Sequence, residues 1–269
     1  MNNIHDTATF LNNAISWARE AGHLQLEYFR GNNLNIESKF NDSDIVTVAD
    51  KASEQIIINH IKNDYPAHAI LSEEMGDNAI TSDYRWIIDP LDGTTNFSNG
   101  LPLFSVSIAL EYCGKAIIGV VYAPYLNELF YATKGGGAWL NGNKIATSRK
   151  NSLAHSVVAT GFPVDKDRTN DNNLDNVTRV LPHVRGMRRL GSAAIDLCYV
   201  AAGFLDGYWE MNLHTWDVAA GRLIAEEAGA KCSLFRNDRN ISIIAATPLI
   251  FDSLSSLLSS QPHSPLHLQ

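Results

Sequence analysis

The sequence predicts a mixed α/β fold, an α+β arrangement of packed layers, on three observations. Segments with helical apolar spacing stand near both ends, at 7–30 and 248–258. The middle of the chain, 103–132, is a succession of β-branched and aromatic runs broken by turns, which predicts an antiparallel meander. Strands and helices otherwise mix without a regular βαβ rhythm, the pattern of layered α+β or mixed α/β domains. Hydrophobic residues at 45% and charged residues at 19% of a 269-residue chain are globular proportions. One large domain or two compact halves can therefore bury a sizeable core.

In order, 7–30 places Phe10, Leu11, Ile15, Ala18, Leu24, Leu26 and Phe29 near helical spacing, and Gly31-Asn32-Asn33 ends that helix. The stretch 34–39 alternates apolar and polar as a strand does, 41–44 is a polar loop, and 45–49 is extended again. The spacing predicts a helix over 50–63 that buries Ile56, Ile57, His60 and Ile61. Ala69-Ile70-Leu71 is a short strand running into Ser72-Glu73-Glu74-Met75-Gly76. Trp86-Ile87-Ile88 reads as a buried strand ended by Asp89, because Pro90 has no N–H for a sheet ladder. Asp92-Gly93-Thr94-Thr95 then turns into a helix start whose free amides point outward. Strands are expected at 103–110, 115–123 and 128–132. Lys134-Gly135-Gly136-Gly137 carries no phosphate-loop pattern, and Asn141-Gly142 is the tight turn of a hairpin over 139–145.

Polar residues 148–152 mark a boundary between an N-terminal half, 1–150, and a C-terminal half, 151–258. In the second half 156–160 is apolar, Gly161-Phe162-Pro163 breaks it, and 165–173 is a polar loop expected to be mobile. Helices are expected at 173–181 and 193–202, the latter rich in small residues, with a strand at 205–211 between that helix and the next. Asp217 opens a helical pattern through Val218, Leu223, Ile224 and Ala228 that Gly229 ends. A last strand at 241–247 and a last helix at 248–258 precede a tail, 259–269, expected to be disordered.

The formal net charge of −8 argues against a general nucleic-acid grip, which needs a basic face. It leaves room for an acidic pocket filled by cations. No apolar run is long enough to span a bilayer, so no membrane partner is expected. Met1-Asn2-Asn3-Ile4-His5-Asp6 shows no basic region leading into an apolar core, so no signal peptide is expected. Cys113, Cys198 and Cys232 are far apart and set among apolar residues; reduced thiols and a cytoplasmic location fit them best.

Three stretches carry chemistry. In Asp89-Pro90-Leu91-Asp92-Gly93-Thr94-Thr95-Asn96-Phe97 two carboxylates stand three apart at a strand-to-helix corner. Such oxygen ligands suit Mg²⁺, and the hydroxyls and free amides beside them suit a phosphate. The same letters also serve as turn punctuation, with Asp92 as a helix cap. Glu73-Glu74 ends one strand just before the next leads to Asp89, so both acidic ends can share a sheet edge; adjacent acids also occur as a solvated loop. Asp217, in Trp216-Asp217-Val218-Ala219-Ala220-Gly221, reads as an N-cap, a metal ligand, or both. His214 belongs to no His-Glu-x-x-His arrangement and receives no metal role.

Together these stretches resemble the three signatures of the inositol monophosphatases, members of the lithium-sensitive, magnesium-dependent phosphatases, and the resemblance spans nearly the whole chain. It implies a layered αβαβα sandwich and a homodimer. It implies a first Mg²⁺ at Glu73, Asp89 and the carbonyl of Leu91, and a second at Asp89, Asp92 and Asp217, with Glu73 helping a weaker third ion. Asp50, in Asp44-Ile45-Val46-Thr47-Val48-Ala49-Asp50, would hydrogen-bond Thr94, and Lys39 would lie near the metals. The amides of Gly93, Thr94 and Thr95 would cradle the phosphate, with Asp92 and Asp217 beside it; Ala193 and Glu210 would face the polyol.

General chemistry agrees with that set. Converging carboxylates repel, and bound cations keep them ionised. A metal-activated water oriented by Glu73 and Thr94 can attack phosphorus in line. The implied reaction is hydrolysis of inositol monophosphate to inositol and phosphate. Relatives with similar metal motifs cleave histidinol phosphate, fructose 1,6-bisphosphate or adenosine 3′,5′-bisphosphate, which remain alternatives, as does a non-catalytic phosphoester-binding or partner-platform protein. An aspartyl-phosphate mechanism needs Asp-x-Asp-x-Thr, whereas two residues separate Asp89 from Asp92.

Overall fold

The computed structural model describes residues 7–31, 34–39 and 45–259; the expectations for 1–6, for the 41–44 loop and for the tail beyond 259 lie outside them. The chain opens with α1 (Thr7–Tyr28), then a two-residue pair, β1 (Glu37–Ser38) and β2 (Ile45–Val46), joined antiparallel. The strand expected over 34–39 is therefore short. Next come α2 (Val48–Asp64), β3 (Ala69–Ser72), β4 (Gly76–Asp77), β5 (Tyr84–Asp92) and the five-residue α3 (Thr94–Ser98). The expected meander follows as β6 (Ser105–Tyr112), β7 (Lys115–Ala123) and β8 (Glu128–Thr133), all antiparallel neighbours. A hairpin of β9 (Gly137–Leu140) and β10 (Asn143–Ile145) completes this part. Its turn residues Asn141 and Gly142 have φ of 49° and 81°, the positive values that a tight Asn-Gly turn requires.

The remainder comprises β11 (Val157–Thr160), α4 (Leu174–Val180), β12 (Gly186–Arg188), α5 (Ala193–Ala201), β13 (Gly207–Leu213), α6 (Thr215–Glu227), β14 (Lys231–Arg236), β15 (Ile241–Ala246) and α7 (Pro248–Ser259). Eight strands form one sheet in the order β10-β9-β8-β7-β6-β5-β3-β4, and five form a second in the order β12-β11-β13-β15-β14.

Four apolar clusters fill the gaps between five layers. Trp17, Ile57, Ile61, Trp86 and Ile108 join α1 and α2 to one face of the large sheet. Val121, Phe130, Ala194, Leu223 and Ile224 join its other face to α5 and α6. Leu197, Val218, Tyr208 and Ile243 join those helices to the small sheet, and Trp209, Ile244, Ile250 and Leu254 join that sheet to α4 and α7. The architecture is an αβαβα sandwich. Among the described residues no helix is long and apolar enough to cross a membrane.

Helix α6 lies unusually close to β7. A Cβ on Gly119 would stand 2.7 Å from the carbonyl oxygen of Ala220 and 3.0 Å from its Cα, both backbone atoms that cannot rotate away. Gly119→Ala should therefore cost about 1–3 kcal/mol through overpacking, read as a lower Tm by calorimetry.

The strand expected to end at Asp89 instead runs through Pro90 to Asp92. The ladder pairs Asp89 with Ser107 and Asp92 with Ser105, so three steps on β5 meet two on β6. This is a β-bulge, and Pro90 falls inside it, where a missing N–H breaks no regular ladder bond. β4, β12 and β14 have no counterpart in the sequence reading. The first is only two residues long, and β14 shows no clean alternation of buried and exposed positions.

Candidate active site

Strands β3 and β5 run parallel, with Ser72 opposite Ile88, so Glu73 and Asp89 emerge at the same sheet edge. The Glu73 N–H donates to the Ile88 carbonyl at 3.2 Å. Residues three apart on a regular strand point to opposite faces; the bulge supplies the extra residue that turns Asp89 and Asp92 to one side. Its backbone is pinned from both sides. The fully buried Gln25 of α1 donates through Nε2 to the Pro90 carbonyl at 2.7 Å, and the Leu91 N–H donates to Asp89 Oδ1 at 3.1 Å. Asp92 Oδ2 accepts from the Ser192 hydroxyl and, at 2.8 Å, from the Ala194 N–H at the start of α5.

Gly93 begins α3 with φ of 94°, and a Cβ there would meet the Leu103 carbonyl at 2.9 Å. The corner thus requires glycine. Thr95 is exposed at the first turn of α3, and Asn96 ties that turn to the Leu103 and Leu190 carbonyls, both at 2.7 Å. Asp217 is not the N-cap of α6. His214 holds that position, stacked on Trp216 at 4.7 Å, and Asp217, three residues on, accepts the His214 N–H at 2.7 Å.

Helix α2 serves this edge with two carboxylates one turn apart. Asp50 closes a capping box with Thr47 and accepts the Thr94 hydroxyl at 2.9 Å. The same hydroxyl lies 3.0 Å from the Leu91 carbonyl. Burial, set against the hydrogen bonds from Thr47 and Thr94, pushes the Asp50 carboxyl up to about 6. Glu54 accepts the Ser72 hydroxyl and the N–H groups of Glu74 and Met75.

The acids act on one another. Asp89 is raised well above the usual carboxylate range by burial, then by the charges of Glu73, Asp92 and Asp217. Asp217 is raised by burial, then by Glu73 and Asp92, and burial pushes Asp92 up to about 6. The only cation touching the group among the described residues is Lys39, whose ammonium lies 2.9 Å from Glu73 Oε1 and also contacts Glu74. Burial opposes its charge, but Glu73 and Glu74 outweigh that and raise its pKa.

Among the described residues, no three His, Cys, Asp or Glu side chains close around a common point at ligating distance. One oxygen each of Glu73, Asp92 and Asp217 is engaged instead by Lys39, the Ser192 hydroxyl and the His214 N–H. Their chemistry still fits a hard divalent cation: a cluster of carboxylates with a backbone carbonyl at Leu91 and no thiol or imidazole among them. Uncompensated negative charge in a buried corner is what such an ion offsets.

A cleft of about 150 Å³ lined by Glu73, Gly93, Thr94, Thr95, Arg189 and Gly191 opens beside these acids. Glu210 is half-buried nearby, accepts the Tyr208 hydroxyl at 2.7 Å, and is pushed up to about 7 by burial. Its charge acts on Asp217, which places the two near each other. Ala193 is buried at the first turn of α5, and its N–H also serves Asp92. A Cβ on Gly161 would come within 2.0 Å of the Glu210 carboxylate, so glycine alone leaves it room. The 165–173 loop is tied to the β14–β15 turn: Arg239 reaches Asp165 at 2.7 Å and Asp171 at 3.1 Å, and Arg236 reaches Asp171 at 2.6 Å.

Gln25, Glu54, Gly161 and Arg189 escaped the sequence reading. Glu54 alone left a signal, standing four residues after Asp50 on the same helix face.

Comparison with known proteins gives a consistent result. The model of the inositol monophosphatase family matches residues 6–261. The chain is 44% identical over 246 residues to the Nus factor SuhB of Pasteurella multocida, covering 89% of this chain and 92% of that protein. Among solved structures, the extragenic suppressor protein suhB of Bartonella henselae superposes with a TM-score of 0.88 at 38% identity, covering 94% of this chain and 99% of that one. The inositol monophosphatase of Anabaena (Nostoc) superposes with a TM-score of 0.84 at 37% identity, covering 95% and 97%.

Proposed function

The chain belongs to the inositol monophosphatase family, and on that premise we propose that it is a Mg²⁺-dependent phosphomonoesterase acting on inositol monophosphate. The observation that carries this reading is the convergence of acids in one corner: the parallel β3–β5 register and the β5 bulge bring Glu73, Asp89 and Asp92 together, and burial with the charges of Glu73 and Asp92 raises Asp89 and Asp217. Those four side chains and the Leu91 carbonyl would hold two to three ions. Bound there, Mg²⁺ supplies Lewis-acid charge stabilisation and a lowered pKa for coordinated water.

The chain's own residues do the rest. The Thr94 hydroxyl, oriented by Asp50, and the Glu73 carboxylate flank the place where water approaches phosphorus. Gly93, Thr94 and Thr95 line the cleft at the start of α3, and their amides would donate to phosphate oxygens. Asp92 and Asp217 flank the side from which the alkoxide leaves. Glu210 and Ala193 form the polyol wall, with the Glu210 carboxylate accepting hydrogen bonds from hydroxyls.

Gly161→Ala tests that wall. Pushing a Cβ against Glu210 should raise KM for inositol 1-phosphate roughly tenfold, with kcat little changed, because it removes binding common to ground and transition states. Turnover of a flat aryl phosphate, which makes no use of Glu210, should be unaffected.

The decisive assay measures phosphate release with Mg²⁺ from inositol 1-phosphate, histidinol phosphate, fructose 1,6-bisphosphate and adenosine 3′,5′-bisphosphate. The highest kcat/KM for inositol 1-phosphate, ¹⁸O from solvent in the product, and no trapped phosphoenzyme are expected. The relatives named Nus factor SuhB keep a second reading in view, a phosphoester-binding platform for a partner. Intact Mg²⁺ binding without release from any of the four esters would favour it. A homodimer and the lack of a direct nucleic-acid contact, the latter in keeping with the net charge of −8, belong to the enzyme reading.

A further inference from the structure

We propose that Glu54 is the positioning residue for Glu73: its carboxylate fixes the 72–75 turn so that the Glu73 side chain meets Asp89 in a geometry ready for a divalent cation. The inference rests on the metal-site reading above and extends it to a residue outside the acidic corner.

Glu54 lies on α2 and is only 8% exposed. A single oxygen, Oε1, accepts three donors from the turn that carries Glu73: the Ser72 hydroxyl, the Glu74 N–H at 3.1 Å and the Met75 N–H at 3.0 Å. The Glu73 N–H is taken by the Ile88 carbonyl at 3.2 Å, one residue before Asp89. Residue 73 is therefore held on both sides, by β5 before it and by Glu54 after it. The two-residue β4 pairs back on β3, Ser72 opposite Gly76 and Leu71 opposite Asp77, which closes the turn at its base, while Glu54 holds the amides inside it. Asp50, one turn earlier on α2, grips Thr94 in the second stretch. One helix thus spaces the two motifs from opposite ends of a single turn.

A turn of backbone amides gathered on a carboxylate is ordered by charge-assisted hydrogen bonds, which are stronger than neutral ones. Partners that orient metal ligands typically alter metal affinity or activity by 10- to 100-fold when removed. Among the described residues the hydrogen bonds of Glu54 go to Ser72, Glu74 and Met75 and not to the carboxylates of Glu73, Asp89, Asp92 or Asp217, so its effect would pass through the backbone of Glu73.

The test is Mn²⁺ binding to the metal-free full chain, followed by electron paramagnetic resonance, alongside thermal unfolding. Glu54→Ala should weaken Mn²⁺ binding by about tenfold or more, with circular dichroism unchanged. Glu54→Gln, which keeps an acceptor oxygen for the same donors, should recover most of the affinity. Should Glu54→Ala fail to fold, Ser72→Ala carries the test. It removes one donor of three, and roughly threefold weaker binding is expected. Wild-type affinity in folded Glu54→Ala, or in Ser72→Ala where the former does not fold, overturns the proposal. Wild-type protein that binds no Mn²⁺ overturns the metal-site reading itself, and the role of Glu54 with it, which separates the two failures.

Discussion

Asp92→Asn is expected to reduce Mg²⁺-dependent phosphate release by at least about a thousandfold, the loss of roughly 4 kcal/mol of transition-state stabilisation. The protein should remain folded. Asparagine keeps a side-chain oxygen for the Ser192 hydroxyl and the Ala194 N–H, the two partners that hold Asp92 at the start of α5. It also removes one charge from a group whose members raise one another's pKa, so thermal stability in the absence of metal should be unchanged or higher. A purely capping Asp92 would behave the other way, losing stability and keeping turnover. Phosphate release and Tm measured on the same preparation distinguish the two roles.

The second large effect is an inverted pH dependence of stability. Asp89, Asp92, Asp217 and Asp50 all have folded-state pKa values raised above the ordinary range, Asp92 and Asp50 to about 6. A raised carboxyl is stabilising in its protonated form. That contribution is complete below the unfolded value near 4 and is lost as pH rises through the folded value. Metal-free protein should therefore lose stability between about pH 4 and pH 7, the window in which many proteins gain it. The loss should be roughly 1–3 kcal/mol for each two-unit shift that survives coupling. Saturating Mg²⁺ should flatten the gradient, since the bound ion favours the ionised carboxylates and its binding releases protons. Calorimetric Tm from pH 4 to pH 7, with and without Mg²⁺, reads both effects. A metal-free Tm that rises across that range would show that other groups dominate.

Much of this was legible in the letters because the chemistry is local. The Asn141-Gly142 turn, the meander and the helix start after Gly93 follow from backbone preferences of a few residues. The acidic corner was legible only in part. Adjacent letters suggested that Glu73 and Asp89 share a sheet edge, and the parallel register of β3 and β5 delivers it. The way Asp89 and Asp92 come to face one side was not, because Pro90 argued for a strand end while the pairing of β6 turned that residue into a bulge. Register belongs to two strands at once and is absent from either alone. Asp217 reads in the sequence as an N-cap, a metal ligand or both; His214 takes the N-cap position and stacks on Trp216, and Asp217 closes the capping box from three residues on. Gln25 and Glu54 looked like ordinary helix polar residues; only packing reveals that one holds the Pro90 carbonyl and the other the Glu73 turn.

The claim at the centre of this account is that acids remote in sequence gather to hold divalent cations. Anomalous diffraction from crystals soaked in Mn²⁺ tests it most directly. The account predicts at least two peaks, one bounded by Glu73, Asp89 and the Leu91 carbonyl and one by Asp89, Asp92 and Asp217, with the carboxylates turned inward from their metal-free contacts. Density showing Lys39 still seated on Glu73 and no peak within reach of Asp89 at saturating Mn²⁺ would contradict it.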